Sequence, residues 1–249
     1  MEKINIRGIE FDNVTLPEAV DMLTELAHGE KTCAVVTPNA EIVQKCIEDE
    51  DFAAIVRQAD VILPDGVGVI KAARILGTPL KSPVPGVEVG EALVGRSGVD
   101  DLPVFLLGGK PGVAEAAAEK LREKYQDAKI VGTNHGYFTK SGEENDAVVE
   151  KINESGAAIL FVCLGVPAQE KWMAENRDRL ATVRVMLGLG GSLDVYSGTL
   201  KRAPAFFRKL GLEWLYRLIR QPKRIGRMMK LPKFYFGTKK YKKQIDRQK

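Results

Sequence analysis

The chain has 249 residues, 45% of them apolar and 28% charged, the balance of an ordinary soluble globular protein. No stretch approaches the roughly 20 uninterrupted apolar residues of a membrane span, and Met1-Glu2-Lys3-Ile4-Asn5 lacks the apolar core of an export signal. The net charge of +4 conceals a division, since residues 1–196 carry a net −11 and residues 197–249 a net +15. An acidic body with a basic C-terminal region points to an anionic partner: a membrane surface, a nucleic acid or a phosphorylated substrate.

In chain order, Thr15 followed by Glu18 predicts a capped helix whose apolar stripe is Ala19, Val20, Leu23, Leu26 and Ala27. A strand is expected at Thr32–Val36, a helix from Asn39 to about Gln58, and a short buried strand at Val61–Leu63 that ends on Pro64-Asp65-Gly66. A helix through Lys71–Arg74 stops near Gly77-Thr78-Pro79. The strand Val104–Leu107 leads into Gly108-Gly109-Lys110-Pro111-Gly112 and an Ala- and Glu-rich helix to about Tyr125. Then follow a strand at Lys129–Gly132, a helix through Ala147–Ile152, a strand at Ala158–Cys163, a helix opened by Gly165-Val166-Pro167, and a last strand at Val183–Leu187. Short apolar strands separated by helices of about 10–15 residues predict a parallel sheet covered on both faces. The expected fold is α/β: a Rossmann-like three-layer domain with five or six mostly parallel strands over residues 1–196, plus a basic helical appendage over 197–249. Cys33, Cys46 and Cys163 are odd in number and widely spaced; Cys33 and Cys163 sit in apolar runs, which fits the cytoplasm rather than a disulfide framework.

In open sheets of this kind ligands lie at the carboxyl ends of the strands, and the unusual residues cluster there. Thr37 and Asn39 fall where a helix begins, so they read as helix caps or as groups facing a site. Asp65 is held between Pro64 and the glycines Gly66 and Gly68; it reads equally as a cap or as a general base for a sugar hydroxyl. Gly109 lies in a strand-to-helix glycine loop of the kind that accepts phosphates, although the loop is neither a Walker A motif nor G-x-G-x-x-G. Gln169 and Glu170 crowd the start of the helix after Pro167, where an amide could grip uracil, ribose or sugar hydroxyls. Gly191 and Asp194 follow the last strand. His28 and His135 have no metal-ligand spacing, and Asp49-Glu50-Asp51 reads as a solvated helical face, so neither a metal nor a cofactor is expected.

The basic region interleaves Phe206, Phe207, Leu210, Leu212, Trp214, Leu215, Leu218 and Ile219 with Arg208, Lys209, Arg217 and Arg220. Beyond Pro222 the pattern resumes with Lys223, Arg224, Arg227 and Lys230 beside Met228, Met229 and Leu231. These are the ingredients of interfacial helices at an anionic leaflet, where each basic residue contributes about 1 kcal/mol. The plainer reading is that Trp214, Leu215 and Leu218 pack on the body or on another subunit, so a homo-oligomer is a further expectation.

Taken together, Pro64-Asp65-Gly66-x-Gly68, Gly165-x-Pro167-x-Gln169-Glu170, and the run from Arg202-Ala203-Pro204 through Gly211-Leu212-Glu213-Trp214 to Arg217, Arg220 and Pro222 resemble the WecG/TagA/CpsF family of glycosyltransferases. Each piece is weak alone; the ordered set, spanning nearly the whole chain, is specific. The resemblance implies transfer of N-acetylmannosamine from a UDP donor to undecaprenyl-diphosphate-linked N-acetylglucosamine in wall teichoic acid linkage-unit synthesis, with inversion and without metal. It implies Asp65 as general base and Thr37, Asn39 and Gln169 as substrate contacts; Gly66, Gly109, Glu170, Gly191 and Asp194, read from the strand-end motifs themselves, are further substrate-binding candidates. Arg217, Arg220 and Arg224 would neutralise diphosphate, so the enzyme would be incomplete until its tail folds over the site at the cytoplasmic face of the membrane. A truncation at residue 196 is then expected to leave a folded but inactive body. One departure is the run Lys81-Ser82-Pro83-Val84-Pro85-Gly86: members of the family often carry an arginine shortly before this turn, and here Lys81 would have to replace it. The rivals are a sibling transferase using UDP-glucose or a UDP-N-acetylmannosaminuronic acid donor and, more distantly, a nucleotide- or nucleic-acid-binding protein; no nucleic-acid-binding motif accompanies the basic tail, and nucleic acid is not the expected partner.

Overall fold

Alternation along the strands decides the architecture. The computed structural model describes residues 2–204, 206–207, 213–220, 226 and 229–248. Strands β1 (Lys3–Ile6) and β2 (Ile9–Asp12) form an antiparallel hairpin. Strands β3 (Cys33–Val36), β4 (Val61–Ile62), β5 (Val104–Gly108), β6 (Ile130–Asn134), β7 (Ile159–Cys163) and β8 (Val185–Gly188) build one six-stranded sheet. Its order is β4-β3-β8-β7-β5-β6, and every neighbouring pair is parallel.

Successive side chains on a strand point to opposite faces, so the central strands, buried throughout, supply two cores at once. Phe105, Leu107, Leu160, Val162 and Met186 face one core; Val104, Leu106, Ile159, Phe161 and Leu187 face the other. The second core is covered by α1 (Leu16–Ala27), α5 (Gly86–Arg96), α6 (Val113–Lys124) and α9 (Ser192–Tyr196). The first is covered by the hairpin, α2 (Ala40–Glu48), α3 (Glu50–Arg57), α4 (Val67–Leu76), α7 (Glu143–Glu154) and α8 (Ala168–Asn176). The three-layer α/β fold expected from the sequence is the observed one.

Local chemistry explains the boundaries. Thr15 and Glu18 close the expected capping box on α1. The helix expected from Asn39 to Gln58 is two helices, because Asp49 leaves the helical conformation (φ −141°) and its carboxylate accepts from Phe52 N at 3.0 Å, capping α3. The Asp49-Glu50-Asp51 run is therefore a helix junction, with Lys45 paired to Asp49 at 2.7 Å. Gly108 leaves β5 at φ +137°, where a Cβ would stand 2.3 Å from the Cys163 carbonyl oxygen, so only glycine permits β5 and β7 to end side by side. The three cysteines are free and buried. Burial pushes the Cys46 and Cys163 thiols up to about 12, which makes them inert packing groups.

Among the described residues of the basic C-terminal region are the helices α10 (Glu213–Arg220) and α11 (Lys230–Arg247). The second rests on α2 and α4, burying Phe234 and Thr238 and adding Phe234 to the core. Lys233 and Lys230 reach Glu48, at the end of α2, at 2.7 and 3.4 Å, and the Arg7 guanidinium lies 5.0 Å from the Tyr241 ring centre. The Lys233 and Gln44 hydrogen bonds hold the Glu48 carboxyl down at about 2. No helix among the described residues is long and apolar enough to cross a membrane.

Candidate active site

The exits of β3, β4 and β8 are neighbours in the sheet, and their loops converge on a small cleft of about 60 Å³. Asp65, Pro85, Gly86, Val87, Leu189, Gly191, Ser192 and Val195 line it. Asp65 is half-buried on a loop clamped from two sides: its N–H donates to Pro38 O at 3.3 Å, and Val84 N donates to Pro64 O at 2.8 Å. Gly66 then turns the chain at φ +84° into α4, whose first backbone N–H groups follow Asp65 directly. A carboxylate at a cleft mouth, on a loop held by backbone bonds, is placed to accept a proton from a hydroxyl bound there.

Thr37 and Asn39 come to the same strand end, and each also holds the frame. The buried Thr37 hydroxyl donates to Gly188 O at 3.0 Å, which ties the β3 exit to the β8 exit. Asn39 Oδ1 accepts from Glu41 N and Ile42 N at 3.0 and 3.1 Å, capping α2. Gly191 lines the cleft, and Asp194 lies in the first turn of α9 behind it. Gly109 is brought elsewhere. It follows β5, four strands from β4, which at about 4.8 Å per strand is roughly 19 Å away. There it joins the exits of β5, β6 and β7 through Gly109 N to Cys163 O (3.4 Å) and Gly136 N to Gly109 O (2.8 Å).

Gln169 and Glu170 sit in the first turn of α8 and are both buried. Gln169 Oε1 accepts from Gly190 N at 2.9 Å, and its Nε2 donates to Glu170 Oε1 at 3.0 Å, so both ends of the amide are engaged within the protein. Burial pushes the Glu170 carboxyl up to about 7, against the lowering effects of the Gln169 bond and Lys45. Arg217 and Arg220 fall on α10, and Arg224 lies outside the described residues. Lys81, ahead of the Pro83-Val84-Pro85-Gly86 turn, is committed to Glu18 at 2.8 Å, while its backbone N–H donates to Asn13 Oδ1. That lysine and Thr15 together hold the Glu18 carboxyl down at about 2.

The sequence did not mark α5, whose first turn forms one wall of the cleft. Glycines at 86, 90 and 95 weaken the helical signal, yet two of them are what lets the helix dock. A Cβ on Gly86 would lie 2.9 Å from Thr37 Oγ1, and one on Gly90 would lie 2.7 Å from Tyr196 Oη. Tyr196 donates to Val87 O at 2.7 Å, and Arg202 pairs with Glu88 at 2.5 Å, so the chain leaving α9 is pinned to the cleft wall. Arg202 was legible only as part of the Arg202-Ala203-Pro204 motif.

The model of the glycosyl transferase WecG/TagA/CpsF family matches residues 4–248. Relatives from Staphylococcus aureus strains MRSA252, MW2 and NCTC 8325 are 35% identical over 249 residues, covering 99% of this chain and 96% of each relative. Each is named N-acetylglucosaminyldiphosphoundecaprenol N-acetyl-beta-D-mannosaminyltransferase. A match of this extent makes the chain a member of the WecG/TagA/CpsF family of glycosyltransferases.

Proposed function

We propose that the chain transfers N-acetylmannosamine from UDP-N-acetylmannosamine to undecaprenyl-diphosphate-linked N-acetylglucosamine, by a single inverting displacement that needs no metal. The observation that carries the reading is Asp65 at the mouth of the cleft formed by the β3, β4 and β8 exits, in a chain 35% identical to transferases with that acceptor and sugar in their name. The acceptor hydroxyl gives its proton to the Asp65 carboxylate as its oxygen bonds to the anomeric carbon; the bond to the diphosphate breaks, and UDP leaves with the electron pair. Thr37, Asn39, Gly66, Gly191 and Asp194 surround the sugar end, and Gly109 marks the far end of a donor laid along the strand exits. Positive charge from the tail, with Arg217, Arg220 and Arg224 as its bearers, balances the leaving diphosphate.

The same reading places the protein peripherally at an anionic membrane surface. Among the described residues, Phe206, Trp214, Ile219, Met229, Tyr235, Phe236 and Tyr241 are exposed, seven of the eleven large apolar side chains that are. They share the basic region with its lysines and arginines, the composition of an interfacial surface. The test is UDP release from UDP-N-acetylmannosamine with a soluble lipid-diphosphate N-acetylglucosamine acceptor and EDTA present. Release that depends on acceptor, survives EDTA and collapses in Asp65→Asn supports donor, base and metal independence together. Activity only with another UDP-sugar would overturn the donor, and loss in EDTA would overturn the metal-free step.

A further inference from the structure

The strand exits are joined by a buried polar relay that ends on a carboxyl group the transfer itself leaves without a role. Gly188 ends β8, Leu189, Gly190 and Gly191 form the turn after it, and Leu189 and Gly191 line the Asp65 cleft. From the β3 side, Thr37 Oγ1 donates to Gly188 O. From the α8 side, Gln169 Oε1 accepts the Gly190 N–H. A backbone N–H can only donate, so it requires the oxygen of the Gln169 amide, which turns the nitrogen towards Glu170. Glu170 Oε1 accepts there, while its Oε2 is buried with no hydrogen-bond partner.

We propose that Glu170 is a positioning residue: its buried carboxyl, by accepting from Gln169 Nε2, locks the Gln169 amide in the one orientation that holds the turn after β8 against the Asp65 cleft. A side chain 3% exposed with an unpartnered oxygen is costly as a carboxylate and tolerable as an acid, which agrees with the upward push that burial gives its pKa. In either protonation state Glu170 offers Oε1 to Gln169. Without an acceptor at 170 the amide is free to rotate, and Gly190 loses its partner. The turn then loosens at the reacting end of the cleft, so kcat falls at least tenfold while the donor KM moves less than threefold.

This rests on the proposed transfer for its kinetic arm, but the relay can be read without it. The experiment compares wild type, Glu170→Ala and Glu170→Gln as full chains, by transfer kinetics and by hydrogen exchange at the Gly190 amide. The expected result is that Ala deprotects Gly190 at least tenfold and lowers kcat. Gln, which keeps an acceptor oxygen and is neutral, restores Gly190 protection and most of the lost kcat. Equal Gly190 protection in wild type and Ala overturns the proposal, and so does a Gln variant as defective as Ala, because the charge itself would then be required. If the Ala variant does not fold, Gln169→Met keeps the volume and removes the amide; undiminished Gly190 protection there overturns the relay too. A wild type inactive with every UDP-sugar would refute the transfer and leave the exchange result to decide the relay alone.

Discussion

Helices α10 and α11 are both basic, both amphipathic and less than ten residues apart, yet they stand differently to the body. In α11, Phe234 is 2% exposed and belongs to the core beneath α2 and α4, with Lys233 and Arg7 fastening its flanks. In α10, Ile219 is 64% exposed and Trp214 40% exposed. Composition alone reads the whole of 197–249 as one appendage. Packing separates α11, which completes the fold, from α10, which presents Trp214 and Ile219 to the surroundings. A truncation at residue 196 therefore removes a core side chain along with the basic segment, and inactivity after such a cut would not by itself speak for membrane docking.

The comparison can be sharpened by effects of decreasing size. Asp65→Asn sets the scale for chemistry in the body: a 10²- to 10⁴-fold fall in kcat with an unchanged melting temperature, read by UDP release and calorimetry. A fall below tenfold would remove Asp65 as base. Phe234→Ala should cost about 3–5 kcal/mol in urea unfolding, against less than about 0.5 kcal/mol for Ile219→Ala. Equal costs would erase the distinction between the two helices.

Next comes the pH dependence of the body itself. The folded Glu170 carboxyl titrates near 7 against an ordinary value of 4.5, so the stability linked to its neutral form is full below pH 4.5 and is lost as pH rises through 7. That loss amounts to about 3 kcal/mol and should be absent from Glu170→Gln. Unfolding curves at pH 5 and pH 8 should therefore converge for the variant relative to wild type; parallel behaviour of the two proteins would return Glu170 to an ordinary carboxylate.

Trp214→Ala with Ile219→Ala should weaken binding to vesicles containing anionic lipid by about tenfold or more without shifting the melting temperature. Unchanged vesicle binding would mean that α10 is not the docking surface. Smallest of all, Lys233→Ala removes an exposed ion pair with Glu48 and should cost at most about 1 kcal/mol, fading in high salt.

Much of the fold was legible because local signals and tertiary outcome agree. Short apolar runs at Val104–Gly108 and Ile159–Cys163 became strands buried on both faces, and Thr15 with Glu18 became a capping box. What was missed had weak or misleading local signals. The hairpin Lys3–Asp12 is short and mixed in polarity, α5 is rich in glycine, and Asp49 interrupts a pattern that reads as one helix. At the site, residue types pointed to the strand exits, because glycines and short polar groups gather where backbones must approach one another. They could not tell Thr37, spent partly on Gly188, from Asp65 at the cleft mouth, nor show that both ends of the Gln169 amide bond within the protein.

The amino-acid order by itself determined the α/β class, the strand-end motifs and their family, and the segregation of charge, since these follow from periodicity, residue type and spacing along the chain. Only the tertiary structure decided the strand order, the separation of Gly109 from Asp65, the burial of Glu170 and the division between α10 and α11. Those depend on which distant segments meet: the sheet sets the spacing of its exits, and a side chain's charge state follows from how much water its neighbours exclude.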